Sequence, residues 1–481
     1  MKSFKHITLA VSVAIGLGMV GQAQATNGYF AHAYSIKDGG LAGAGVAVAQ
    51  DTLAAATNPA GMAFVGDGWD VGMALFAPDR EYTSTGGPAV PYFPGVIQGG
   101  GFGPGSPCAA PGIAPCQTPF SIGPNSITSS NKIFPVPNFG YNKMINEQVS
   151  VGVSVYGNGG MNTLYKGGTA TLYNPTNDTI EEMPGTFGRG DAGIDLMQLF
   201  VAPTIAYKFN ETTSVGVSLI MAYQLFKAEG LGNFAGISAN AAKLSDNNYD
   251  NSFGTGIKVG FQSQVSDQVS LGASYQSKVS MDNFDEYAGL FAEEGGFDIP
   301  STWTVGIAIN TSEDARLLFD VQGINYTDVA SISNTLDPIL LGQCLDALNA
   351  TLFSGQPSPA SGPGCLGGSN GAGFGYEDMT VYKVGYEWST NDTWTWRVGA
   401  SLTDQPIPET EVLFNILAPA VSKTHWTFGF TRDLGNSNEL NFSAMFAKGD
   451  AVSGTNAFDP SQTIEIAMDQ FQFGVSYSKH Y

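Results

Sequence analysis

The sequence predicts an all-β fold, a 14-stranded antiparallel transmembrane β-barrel with a small N-terminal helical hatch inside the lumen. Apolar residues alternate with small or polar residues along many segments, as expected for strands with one apolar face. A soluble β-sandwich would show the same alternation. Three features favour the barrel: strands of about ten residues or more, short turns that alternate with long connections, and six tryptophans that all fall in predicted strands.

The strand count follows from six recurrent hairpins with short turns rich in Asn, Asp, Ser or Glu. In one of them, Val149, Val151 and Val153 share a face opposite Ser150. Six hairpins give twelve strands, and one strand at each end of the series, 68–82 and 471–481, brings the count to fourteen. An even count puts the start of the first strand and the end of the last strand on the periplasmic side, and the long connections on the outer side. These connections are predicted at 83–131, 166–190, 231–250, 288–298, 334–377, 406–421 and 450–469.

The N-terminus has the pattern of a signal peptide. Lys2 and Lys5 precede an apolar stretch at 7–20, and "AQA" at 23–25 forms an A-x-A cleavage site, so the mature chain is predicted to begin at Thr26. No later segment is apolar and long enough to span a membrane as a helix. The predicted organisation is therefore a signal peptide (1–25), a hatch (26–66) and a barrel (67–481) in the outer membrane of a Gram-negative bacterium.

Residues 26–66 lie outside the predicted strands at the periplasmic end. A barrel of fourteen strands has a lumen wider than its own side chains fill, so this segment is predicted to plug it. Asp51 is a suitable N-cap for a short helix over 52–57, which Pro59 cannot continue. Asn58 can cap a second helix that has Pro59 at its first position. The many Ala and Gly residues permit close packing in the lumen.

The four cysteines are Cys108, Cys116, Cys344 and Cys365. An even number in an exported chain suggests two disulfides. Among the three possible pairings, Cys108–Cys116 with Cys344–Cys365 is the local one, and each pair would join residues of a Gly/Pro/Ser-rich loop. A metal site is disfavoured because neither pair has a histidine nearby.

Four features of the chain resemble one family. They are the run GAGVA at 43–47, the turn at Asp51, the motif Asn58-Pro59-Ala60, and the segment TWTWRVGASLTDQPIP at 393–408. With the signal peptide, strand count and plug, they make the whole mature chain similar to FadL-type outer-membrane transporters of long-chain fatty acids and aromatic hydrocarbons. The resemblance implies passive uptake. Hydrophobic ligand would be captured among the outer loops, bind above the hatch, and leave sideways through a kink in the third strand.

The third strand, VSVYGNGGMNTLY at 153–165, has residues that suit such a kink. Gly157, Asn158, Gly159 and Gly160 interrupt its alternation, and glycine inside a strand often marks a bulge or bend. A simple bulge without a portal is the alternative. The motif Asn58-Pro59-Ala60 is expected to shape the hatch rather than to contact ligand.

Several charged residues have the parity of lumen-facing positions: Lys208, Lys258, Lys383, Glu387 and Arg397. Arg397 and Lys383 are candidate contacts for a fatty-acid carboxylate, because a buried carboxylate needs a partner. A network in which these charges satisfy one another is the alternative.

Apolar loop residues could form a first capture patch or could pack together: Phe291, Phe297, Ile339, Leu340, Leu341 and Phe353.

Composition excludes several classes of function. A net charge of -22 argues against nucleic-acid binding. No Ser/His/Asp signature, phosphate-binding loop or metal-spacing motif is present, so neither an enzyme nor a cofactor is predicted.

The predicted partners are a hydrophobic small molecule, outer-membrane lipids, and the barrel-insertion machinery, which would recognise the C-terminal strand ending at Tyr481. A monomer is implied by the resemblance. A channel for aromatic or alkane hydrocarbons, a general porin for polar solutes and a surface adhesin remain alternatives.

Overall fold

The computed structural model describes residues 26–87, 120–174 and 179–481. The predicted signal peptide (1–25), Cys108 and Cys116 lie outside these residues. Within them, no helix is both long and apolar enough to cross a membrane.

Fourteen long strands form a closed antiparallel barrel, which confirms the predicted fold. Neighbours in the chain pair with one another around the ring. The strands are β1 Gly68–Gly86, β2 Phe134–Met144, β3 Val149–Tyr165, β4 Ala192–Asn210, β5 Thr213–Glu229, β6 Asp250–Gln264, β7 Val269–Gln276, β8 Thr302–Ser312, β9 Ala315–Ile324, β10 Met379–Asn391, β11 Trp394–Thr403, β12 Ser422–Gly435, β13 Asn438–Gly449 and β14 Asp459–His480.

The barrel closes between its first and last strands. Gly68 of β1 pairs with His480 of β14, and the register continues without a shift to Gly86 and Gln462. The predicted alternation is present around the wall. On β5, for example, Leu219 and Met221 are exposed, whereas Ser218 is buried. The exposed apolar residues belong to the lipid-facing side of the wall, and the alternate residues face the lumen.

Shorter elements lie at the two ends of the barrel. A separate three-stranded sheet is formed by Phe120–Ile122, Thr169–Asn174 and Thr179–Pro184. Three further short strands extend the main sheet: Asn125–Thr128, Ser280–Met281 and Val452–Asn456. The helices, all of one or two turns, are Ile36–Gly39, Ala54–Thr57, Pro59–Ala63, Gly232–Ile237, Ala241–Lys243, Asp285–Tyr287, Ala292–Gly295, Tyr326–Asp328, Ala330–Ser333, Asp337–Leu340, Ala347–Ser354, Glu409–Glu411 and Val412–Asn415.

β14 is longer than the sequence predicts. It begins at Asp459 instead of 471, within the predicted connection 450–469, and pairs there with Val452–Asn456. Ile464 and Ile466 are buried in the lumen while Glu465 between them is exposed. The strand continues beyond the lipid-facing band, so its outer face becomes acidic although its inner face stays apolar.

Candidate functional site

Residues 26–66, here called the N-terminal segment, are packed inside the barrel at the end that carries the short turns. Asn58 lies at the corner between the helices Ala54–Thr57 and Pro59–Ala63. Its Oδ1 accepts from the N–H of Ala60 at 3.1 Å, and its Nδ2 donates to the backbone oxygens of Val46 (2.7 Å) and Phe261 (2.9 Å). The motif Asn58-Pro59-Ala60 thus joins two parts of the segment to the barrel wall.

Carboxylates of the wall hold the N-terminal segment through its backbone. Asp320 on β9 accepts from the N–H groups of Gly45 (2.8 Å) and Val46 (2.9 Å) through one oxygen. Asp70 on β1 accepts from the N–H and the hydroxyl of Thr52, at 2.9 and 2.6 Å. These bonds are charge-assisted and buried, which makes them stronger than neutral bonds in water.

The two cations predicted to meet a ligand carboxylate lie beside this segment. Arg397 forms an ion pair with Glu387 at 2.6 Å, and its Cβ lies close to Gly40. The Lys383 ammonium is 3.5 Å from the backbone oxygen of Gly43. The structure therefore brings Arg397 and Lys383 to the N-terminal segment and not to the aromatic part of the lumen.

We expect Asp320→Asn to weaken the attachment of the N-terminal segment. The amide replaces two charge-assisted hydrogen bonds with neutral ones, which costs about 1 kcal/mol, or about fivefold in the equilibrium between the bound and released segment. The measurement is single-channel conductance in planar bilayers, which should show more frequent openings. Asp314→Asn, at an exposed position in a short turn, is the control, and equal opening frequencies in the two variants would contradict the prediction.

β2 and β3 separate halfway along their length. They pair from Met144 and Ser150 as far as Phe139 and Val155. Beyond that pair, residues 134–138 continue beside β1, and β3 continues beside β4. No ladder between β2 and β3 is present there among the described residues. We call this opening the β2–β3 window.

The predicted glycine-rich stretch lies at the window. The register of β3 against β4 shifts between Gly157 and Gly159, so Asn158 forms a bulge. The Asn158 side chain is buried and donates to Gln198 Oε1 at 2.9 Å. Gly157, Asn158, Gly159 and Gly160 therefore lie at an irregular edge of the wall, where β3 carries a bulge.

Two further features border the window. On β2, Pro135 and Pro137 lack N–H groups, and proline within sheets is confined to edges and bulges. At the long-loop end, residues 129–131 cross from β1 to β3. The Ser129 N–H donates to the Arg80 backbone oxygen (2.8 Å) and the Ser130 N–H donates to that of Leu164 (2.8 Å).

The start of the N-terminal segment covers the window from the lumen side. In this turn, residues 27–31, the Ala31 N–H donates to the Asn158 backbone oxygen at 2.8 Å, and the Gly160 N–H donates to that of Tyr29 at 2.9 Å. Tyr326, after β9, holds the turn from across the lumen. Its hydroxyl donates to the Asn27 backbone oxygen at 2.5 Å and accepts from the Tyr29 N–H at 3.2 Å.

Above the turn the lumen is lined by aromatic and aliphatic side chains. A cavity of ≈ 20 Å³ lies directly behind the window. This is about the volume of one water molecule, so a larger occupant requires the surrounding side chains or the turn to move. Its lining includes Tyr29, Phe76, Met161, Tyr376, Leu417 and Arg80.

Arg80 is the charged residue of this cavity that the sequence analysis missed. Its side chain is buried, and its guanidinium lies 5.4 Å from the Phe134 ring centre. One terminal nitrogen donates to the Asn131 backbone oxygen, while Nε has no hydrogen-bond partner among the described residues. A buried guanidinium with an unused donor suits an anionic group.

The predicted capture patch is mostly buried within the long loops. Phe291, Phe297 and Ile339 are buried, whereas Leu341 is 72% exposed. The Phe353 side chain is not among those described. Phe291 also lines a second apolar cavity of ≈ 30 Å³ with Phe226, Phe234 and Phe374. Self-packing therefore accounts for most of these residues.

A disulfide joins Cys344 and Cys365 in the connection between β9 and β10. The two cysteines are 21 positions apart in the sequence. This is the local pairing that the sequence suggested. Cross-linking a loop of this length reduces the conformational freedom of the unfolded chain.

The fold and this site define an outer-membrane β-barrel transporter with an occupied lumen. The chain belongs to the outer membrane protein transport family OMPP1/FadL/TodX, which it matches over residues 17–478, and this confirms the resemblance. It is thus an outer-membrane transporter of hydrophobic compounds. A comparison with curated proteins gives no match.

Three solved structures illustrate the shared fold. The Pseudomonas putida toluene transporter TodX has a TM-score of 0.59 at 16% identity, covering 94% of this chain and 99% of that one. A Pseudomonas aeruginosa FadL homologue has 0.58 at 13%, with 94% and 99% coverage. The monoaromatic hydrocarbon channel CymD has 0.54 at 15%, with 93% and 98% coverage.

Proposed function

We propose that the protein mediates passive uptake of hydrophobic small molecules, with long-chain fatty acids as the first candidate. Ligand is captured at the outer loops, binds above the N-terminal segment, and leaves sideways through the β2–β3 window into the membrane. The observation that carries this proposal is the position of the apolar cavity directly behind the window. The turn of residues 27–31, whose Tyr29 lines this cavity, is bonded to β3 at the edge of the gap in the wall.

In this proposal the N-terminal segment acts as a hatch and faces the periplasm. Its buried bonds to Asp320 and Asp70 keep the short-turn end closed, so polar solutes do not leak. The turn of residues 27–31 is the part that must move for release. It is held by two backbone bonds to β3 and by Tyr326, each worth about 1 kcal/mol, so thermal opening is feasible.

Passive transport needs a favourable destination. An alkyl chain gains about 0.8 kcal/mol for each CH₂ that it transfers from water to hydrocarbon. Release into the bilayer therefore drives uptake without a nucleotide. The end of β14, with Tyr481 exposed, is the segment that we propose for recognition by the insertion machinery.

Arg80 supports a carboxylate-bearing ligand. Its side chain lines an apolar cavity, where an uncompensated carboxylate would be strongly disfavoured, and its Nε has no hydrogen-bond partner among the described residues. A fatty acid would place its head at Arg80 and its tail among the aromatic residues. Arg397 and Lys383, in contrast, are proposed to hold the hatch.

Neutral aromatic hydrocarbons are the second candidate. Tyr29, Phe30 and Tyr326 form a cluster with ring centres 5.1 to 5.9 Å apart, a geometry that also suits aromatic ligands. Two of the similar structures are a toluene transporter and a monoaromatic hydrocarbon channel. A diffusion porin for polar solutes is disfavoured by the filled lumen.

Uptake in Gram-negative cells that lack their own fatty-acid transporter tests the proposal. Cells expressing the protein should accumulate radiolabelled palmitate faster than cells with an empty vector. Toluene uptake measured in the same cells compares aromatic hydrocarbons with fatty acids as ligands. Sucrose permeation should stay at the vector level. Rapid sucrose permeation with no palmitate uptake would show a porin instead.

A further inference from the structure

An apolar groove of ≈ 520 Å³ runs along the outer wall of the barrel. Val71 and Met73 of β1 and Val475 of β14 form its sides, and all three are more than one-third exposed. Gly72, Asn138 and Ser476, which occupy the buried positions of their alternating strands, also line it. A barrel wall is convex overall, so a concavity of this size is a distinct feature of the lipid-facing surface.

Gly72 lies where β1 packs closely against both of its neighbouring strands. A Cβ added to Gly72 would lie 2.5 Å from Asn138 Oδ1 and 2.9 Å from Ser476 Cβ. A larger residue at position 72 would therefore push β1 away from its two neighbours.

The groove is continuous with the β2–β3 window. Pro137, Phe139 and Val155 line its one end, and Phe139 and Val155 are the last pair below the window. Its other end reaches Trp69 and Tyr477, close to the short turns, where the Trp69 indole donates to the Tyr481 hydroxyl at 3.1 Å. Aromatic residues of this kind mark the membrane interface in outer-membrane barrels.

We propose that this groove is a binding site for the alkyl chain of the transported molecule after it has passed the window. The groove leads from the window toward the periplasmic side of the bilayer and delivers the molecule to the inner leaflet of the outer membrane. The inference rests on the lateral release proposed above. Continuity with the window selects the transported molecule as occupant over the acyl chain of a resident phospholipid.

Photo-crosslinking during uptake tests this proposal. p-Benzoylphenylalanine is placed at Met73 in the groove or at Met221, an exposed methionine on β5 outside it. Cells are given radiolabelled palmitate and irradiated. We expect a labelled adduct at position 73 and background labelling at position 221. In a Gly159→Val background, in which we expect the window to be narrowed, the adduct at 73 should fall toward the level seen at 221.

The outcomes separate the two proposals. Equal labelling at 73 and 221, or an adduct at 73 that persists in the Gly159→Val background, would overturn the proposal that the groove binds the transported molecule. The labelled palmitate would then have reached position 73 from the membrane and not through the window. Palmitate uptake is measured in the same cells, so failure of the proposed function is seen directly as uptake at the vector level. As a second test, Met73→Trp fills the groove and should slow uptake, whereas Met221→Trp should leave it unchanged.

Discussion

Gly159→Val is expected to reduce palmitate uptake by about tenfold or more, equivalent to at least about 1.4 kcal/mol. A Cβ at this position would overlap the Tyr29 backbone oxygen and lie 3.0 Å from the Phe30 Cα. Either the turn of residues 27–31 or β3 must therefore move. The turn is fixed by Tyr326, whereas the β3 edge toward β2 carries no ladder, so β3 should move outward and narrow the window.

The measurement is uptake in cells whose surface exposure of the protein has been verified. Gly236→Val is the matched control, because no heavy atom lies within 4 Å of a Cβ at Gly236. The variant Tyr326→Phe removes the hydroxyl that holds the turn. In the double variant with Gly159→Val the turn should yield instead of β3, and uptake should recover. Normal uptake by a folded Gly159→Val protein would refute lateral release through this window.

The barrel could be predicted from the sequence because its signals are local. Alternating valines on β3 and polar residues in each short turn fix strand direction and strand number without knowledge of distant contacts. The start of β14 was missed for the same reason. Glu465 and Asp469 lie on its outer face beyond the lipid band, and there the sequence suggested a loop.

Only one of the two strands that border the window was recognised from the sequence. The glycines of β3 indicated an irregular strand, and the structure places a bulge at Asn158. Pro135 and Pro137 at alternate positions of β2 carried the complementary signal, since two missing N–H groups on one strand indicate an edge. The turn that covers the window was not predictable, because its partners Asn158 and Tyr326 lie far from it in the sequence.

Charged lumen residues show where periodicity stops being informative. Alternation indicates that Arg397 and Lys383 face inward, but it does not give their height relative to the N-terminal segment. Arg80 has the same inward parity and was overlooked. It lies between Asp79 and Glu81 near the predicted end of a strand, which has the appearance of an exposed charged end.

Arg80→Met is expected to lower the affinity for palmitate by about 10- to 100-fold while leaving the uptake of toluene unchanged. The reason is the loss of a charge-assisted hydrogen bond to the carboxylate, worth about 1.5 to 3 kcal/mol. Methionine keeps much of the buried aliphatic volume, so the cavity should remain filled to a similar extent. Competition between labelled palmitate and unlabelled ligand in purified protein gives the affinities.

Arg189→Met is the control, because Arg189 is exposed on the loop between β3 and β4 and contacts Asn233 rather than the cavity. The result also discriminates between the two ligand classes. If the natural ligand is a fatty acid, Arg80→Met should impair cells that depend on palmitate and spare those that depend on toluene. Equal affinities of Arg80→Met and Arg189→Met for palmitate would show that Arg80 does not bind the carboxylate and only stabilises the barrel through its hydrogen bond to Asn131. A neutral hydrocarbon would then be the better candidate for the transported ligand.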